Sequence, residues 1–193
     1  MLALGIIASH RKDGQSFNMV AAAMDEVAKA DSSTETDIVQ LAAVRIEPCR
    51  VCGACHDTDL QCAIEDDDFQ TIYDKMKAAD GLMVAAPLYF PIPSKMAAFM
   101  ERAVSVQYAK MEADKSFVSP LAGKPAALFS TSGGSPVNLV LVHLLEFASF
   151  LQMDVVISRT WPGFGVAPLV NWIDPVESAR QMGRAFARKL AAH

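Results

Sequence analysis

The chain's four cysteines, Cys49, Cys52, Cys55 and Cys62, all fall within one short stretch. Four thiols this close admit three chemistries: paired disulfides, a zinc ion held by four thiolates, or an iron–sulfur cluster with one thiolate at each corner. Structural zinc sites usually bring two short Cys pairs together across a longer gap. Here three cysteines recur at intervals of three and the fourth closes after seven. Such a compact run wraps one polynuclear centre better than a single tetrahedral ion. In the bacterial ferredoxin run the fourth cysteine precedes proline and serves a second cluster. Ala63 follows Cys62 and no second set of cysteines exists, so any cluster is single.

Three further stretches could hold a ligand. Ser9 to Ser16 is a polar loop between an apolar run and a helix start, where free N–H groups and the helix dipole attract anions. Ser9 and Ser16 offer hydroxyls, Arg11 a cation, Gln15 an amide, and Gly14 room for a tight turn. Neither dinucleotide nor triphosphate glycine motif is present, so a monophosphate fits best. A helix cap at Ser16 and a solvated Arg11 would look the same. The second stretch, Pro87-Leu88-Tyr89-Phe90-Pro91-Ile92-Pro93, is a proline-stiffened edge able to lie along a flat ring or to fill a core or interface. The third, Thr131-Ser132-Gly133-Gly134, lets backbone approach a ligand closely, as would a plain turn.

These stretches need a scaffold. Apolar runs at 2–8, 36–44, 80–86, 124–130 and 154–159 predict five strands buried on both faces. Helical patterns at 16–30, after Asp68, at 94–106, 137–151 and 174–191 alternate with them. Glu65 to Asp68 are expected to be first-turn carboxylates favoured by the helix dipole, with no catalytic task. Alternation of this kind calls for a doubly wound α/β fold: a parallel five-stranded sheet in the order 2-1-3-4-5 with helices on both faces. The cysteine segment, residues 47–66, is then an insertion after strand 2. In that order the loops after strands 1, 3 and 4 meet at the switch point. A phosphate loop beside a flat-ring edge describes FMN.

At 193 residues and 52% hydrophobic, the chain reads as one domain, 1–193, with one substantial core. A net charge of −5 without a basic stripe argues against nucleic acid or a membrane surface as partner. Met1 to Ala8 lacks a basic n-region, so a reducing cytoplasm is the expected location, which disfavours permanent disulfides.

Ser9-x-Arg11 with Gly14-x-Ser16, then Pro87-x-Tyr89 with Lys95, Phe99, Glu101 and Arg102, then Gly133-Gly134, resemble the three flavin-binding loops of the flavodoxin-like NADPH-dependent FMN reductase superfamily. The cysteine run followed by Asp66 and Asp67 resembles the cluster motif of its iron–sulfur flavoproteins. Gln15 stands where relatives often carry Asn. The resemblance implies FMN on Ser9, Arg11, Gly14, Gln15, Ser16, Pro87, Leu88, Tyr89, Phe90, Thr131, Ser132, Gly133 and Gly134. It also implies a [4Fe–4S] cluster on the four cysteines. The expected activity is electron transfer between one- and two-electron carriers, with no side chain acting as acid, base or nucleophile. Expected partners are a ferredoxin-like redox protein, or NAD(P)H and a small acceptor. The expected assembly is a homodimer or homotetramer, whose interface the apolar helix after Pro136 and the Trp161 loop could supply. Two alternatives stay open: an NAD(P)H-dependent FMN or quinone reductase without a cluster, and a non-enzymatic module stapled by zinc.

Overall fold

Residues 1–90, 92–132, 139–162 and 174–193 are described by a computed structural model of the chain. Strands β1 (Leu2–Ile7), β2 (Glu35–Gln40), β3 (Gly81–Pro87), β4 (Pro125–Ser132) and β5 (Asp154–Pro162) form one sheet, paired in parallel in the order β2-β1-β3-β4-β5. The helices are α1 (Gln15–Ala30), α2 (Phe69–Ala78), α3 (Ser94–Ala113), α4 (Leu139–Phe150) and α5 (Pro175–Leu190). Both faces of the central strands are covered, which is why β3 and β4 read as unbroken apolar runs instead of alternating.

Each face has its own core. Leu4, Ile6, Leu82, Val84 and Leu128 point toward α2, α3 and α4, where Phe69, Phe99 and Phe147 pack. Ala3, Ile7, Met83, Ala85 and Phe129 point toward α1 and α5, meeting Met19, Val20, Met24 and Phe186. Alternate residues of one strand thus feed opposite layers, as the pleat requires. Helices α1 and α5 touch so closely that a Cβ at Gly183 would lie 2.3 Å from the carbonyl oxygen of Ala23.

Register aligns the carboxyl ends. Ile7 pairs with Ala85, and Pro87 with Thr131, so the turns after β1, β3 and β4 leave the sheet at one edge.

Three elements differ from the sequence expectation. The second strand stops at Gln40 instead of Val44, because its partner β1 ends opposite it at Ile7 and a 3₁₀ turn over Leu41–Ala43 follows. Helix α3 continues past Val106 to Ala113, with no glycine or proline to end it before Asp114. Trp161, expected in a loop offered to a subunit interface, belongs to β5 and is buried, stacked on Phe129 with ring centroids 5.9 Å apart.

Candidate functional site

The carboxyl edge gathers hydroxyls. Ser9, Ser16, Thr131 and Ser132 are all buried there. The hydroxyls of Ser16 and Thr131 lie 3.2 Å apart, joining the first turn of α1 to the end of β4. The N–H of Leu88 donates to the carbonyl of Thr131 at 2.6 Å, which brings in the loop after β3. Gly14 closes the turn into α1, its N–H donating to the carbonyl of Arg11, and a Cβ there would meet Ser9 Oγ at 3.0 Å. No side chain caps α1, so its first N–H groups and the positive end of its dipole face this rim. A phosphate monoester suits such a cradle.

Other residues named from the sequence stand around it. Arg11 is exposed, and its backbone N–H is held by Ser9 Oγ at 3.2 Å. Gln15 opens α1 and is half-buried. Pro87 and Leu88 are half-buried, whereas Tyr89 and Phe90 project from the edge, Tyr89 at 73% exposure and Phe90 fully exposed with φ +30°. The ring of Tyr89 lies 6.3 Å from that of His10, centroid to centroid, so the loops after β1 and β3 face one another. Gly133 and Gly134 lie outside the described residues. Sequence reasoning missed Gln40, whose amide donates to the carbonyls of Ser9 at 3.0 Å and Arg11 at 2.9 Å and ties the phosphate-type loop to the end of β2. A strand read as running to Val44 gave no signal for it, because only the structure ends β2 at Gln40.

The cysteines form a second site. All four line one cavity of about 380 Å³ against α3. Tight winding comes from left-handed backbone at Val51 and Gly53, followed by a 3₁₀ turn over Ala54–His56. Helix α3 supplies contacts to three of the sulfurs. Cys49 Sγ lies 3.7 Å from Ser105 Oγ, the Cys55 thiol donates to the Ser105 carbonyl at 3.8 Å, and Arg102 Nε–H donates to Cys62 Sγ at 3.3 Å. Gln70 fastens the closing arm, accepting from the N–H of Cys62 and donating to the carbonyl of Leu60. Burial, and then the charge of the other three sulfurs, pushes the Cys55 thiol above its ordinary pKa. Among the described residues, no three Cys, His, Asp or Glu side chains are gathered tightly enough for one metal ion.

Asp67 and Arg102 depart from their expected places. Glu65 to Asp68 precede α2 instead of forming its first turn, and Asp67 turns inward to a fully buried ion pair with Arg102. Burial opposes ionisation of Asp67, but Arg102 and the N–H groups of Glu47 and Phe69 outweigh it and hold the carboxyl below its usual range. Arg102, grouped by resemblance with the flavin loop, instead serves the cysteine segment. Phe99 is core, and Lys95 donates to the carbonyls of Ala42 and Val44.

Comparison with known proteins places the chain among flavoproteins. An iron–sulfur flavoprotein of Methanosarcina thermophila is 46% identical over 101 residues, which span 52% of this chain and 51% of that protein. The chain thus spans about half the length of that relative. An iron–sulfur flavoprotein of Methanocaldococcus jannaschii is 28% identical over 197 residues, covering 97% of this chain and 96% of that protein. Among solved structures, a flavone reductase shares the fold at TM-score 0.70 and 20% identity, over 99% of this chain and 63% of that one. The family pattern described as NADPH-dependent FMN reductase matches residues 1–163, and the chain therefore belongs to that flavoprotein family.

Proposed function

We propose that the protein is an FMN-dependent electron-transfer flavoprotein carrying a single [4Fe–4S] cluster. The observation that carries this reading is the four cysteines around one cavity on α3, in a chain whose sheet edge forms a hydroxyl-lined anion cradle. FMN, when bound, accepts a hydride pair or passes single electrons, and a [4Fe–4S] centre moves one electron at a time, so together they join one- and two-electron carriers.

The chain's own part is positional. Ser9, Gly14, Gln15 and Ser16, with Arg11 approaching from solvent, hold the phosphate. Pro87, Leu88, Tyr89 and Phe90 would border the flavin ring, and Thr131 and Ser132 would meet its polar edge. Cys49, Cys52, Cys55 and Cys62 ligate the cluster. No side chain acts as acid, base or nucleophile. Arg102 and Ser105 follow the start of α3 at Ser94 by two to three turns, about 12 to 17 Å along the axis. The family resemblance implies that the cluster of one copy serves the flavin of another, so the protein works as a homodimer or homotetramer. Leu139, Val142 and Leu145, exposed together on α4, are apolar surface suited to that contact. Electrons enter and leave through a ferredoxin-like protein, or through NAD(P)H and a small acceptor. No described helix is long and apolar enough to cross a membrane.

Anaerobic purification tests the reading. Flavin bands on a broad brown shoulder, with roughly four irons and four sulfides per chain, support it. Flavin bands without iron support the second reading, an NAD(P)H-dependent FMN or quinone reductase, which the family match favours. Colourless protein with stoichiometric zinc would overturn both.

A further inference from the structure

Nothing in the mechanism above uses Arg102, yet its side chain is wholly shielded from solvent and each nitrogen of its fork donates a hydrogen bond. Nη2 donates to the carbonyl of Ile64 at 3.0 Å, and Nη1 donates to the carbonyl of Glu47 at 3.3 Å and to the carboxylate of Asp67. The guanidinium lies 4.1 Å from the centroid of Phe69. Those contacts would suffice to brace both ends of the cysteine segment. The third nitrogen, Nε, points its N–H instead at Cys62 Sγ, 3.3 Å away.

A buried cation bonded to a ligand sulfur has an electrostatic consequence that bracing does not. Adding an electron to a thiolate-bound centre adds negative charge, and an N–H donor carrying positive charge stabilises it, strongly so where water does not screen. Asp67 stands on the far side of the same guanidinium and offsets part of that charge. The structure assigns to the Arg102–Asp67 pair the setting of the reduction potential of the centre held by Cys62. This assignment rests on the cluster reading, and it makes Arg102 and Asp67 positioning residues with opposite effects.

The test is a redox titration of anaerobically purified holoprotein, following the cluster by electron paramagnetic resonance and the flavin by absorbance in the same sample. Arg102→Gln is expected to lower the ratio of reduced to oxidised cluster about tenfold at a given poise, a downward shift of about 59 mV for a one-electron couple. Arg102→Lys, which keeps the charge but not the fork, should fall between that variant and the parent. Asp67→Asn keeps the shape of the pair and removes the opposing charge, so it should raise the ratio severalfold. The flavin couple should hold its parental value in all three. Parent protein without iron and sulfide would overturn the cluster reading itself. Cluster-loaded parent protein would overturn the assignment if Asp67→Asn shifted the potential downward, left it unmoved or lost the centre. Should Arg102→Gln fail to fold, Asp67→Asn alone decides.

Discussion

The hydroxyls of Ser16 and Thr131 lie 3.2 Å apart across 115 residues of chain, and both are buried at the carboxyl edge of the sheet. That contact joins the helix that would receive a phosphate to the strand whose loop would meet the flavin. Hydrogen bonds to a charged group are worth about 1.5–3 kcal/mol. Ser16→Ala is therefore expected to weaken FMN binding by roughly ten- to a hundredfold. Thr131→Val, which loses its hydroxyl at the other end of the contact, should weaken it less. Titration of apoprotein by quenching of flavin fluorescence measures both, with circular dichroism confirming an unchanged fold.

Cys52 is the exposed member of the cysteine run and has no partner among the sulfur contacts to α3 described above. Replacing it with serine removes a proposed ligand without opening the core. Cys52→Ser should purify with sharply reduced iron and sulfide and with its flavin retained, because the proposed flavin cradle is at the sheet edge. Metal analysis and the visible spectrum check this, and parallel loss of flavin would contradict it.

Gly183 allows α5 to lie on the backbone of α1. A methyl group there would meet Ala23 backbone at 2.3 Å, and a helix axis moves less readily than a side chain. Gly183→Ala is expected to destabilise the fold by about 1–3 kcal/mol, read from the urea midpoint, while flavin stoichiometry stays the same.

Glu26 receives Arg184, Lys29 and Arg180. The bonds from Arg184 and then Lys29 lower its pKa from 4.5 to about 2. Because the folded value lies below the unfolded one, the resulting stability is present above about pH 4.5 and is lost as pH falls toward 2. Glu26→Gln should be less stable than the parent at neutral pH, with the difference closing as pH falls through about 2. Denaturant curves across that range show whether the two lines converge.

The apolar face of α4 carries the last prediction. Val142→Glu and Leu145→Glu place charges where Leu139, Val142 and Leu145 are exposed together. Both should shift the protein toward smaller assemblies in light scattering, with parental thermal stability of the monomer fold.

Sequence alone was sufficient for the sheet order, the two-sided burial and the candidate cluster ligands. Unbroken apolar runs alternating with helical periods leave few topologies, and four cysteines in so short a span declare themselves by type and spacing. What it could not reveal depends on distance in space. By residue type Asp67 was one of four acids, singled out with Asp66 only by resemblance, and its burial against Arg102 follows only once α3 is packed beside the segment. Gln40 looked like a strand residue, and its grip on Ser9 and Arg11 exists because β2 lies next to β1. Trp161 read as surface until Phe129 came to stack on it. Local pattern is a property of neighbours in the chain, whereas the partner of a buried charge or amide is set by packing between elements far apart in sequence, and only the folded molecule decides that.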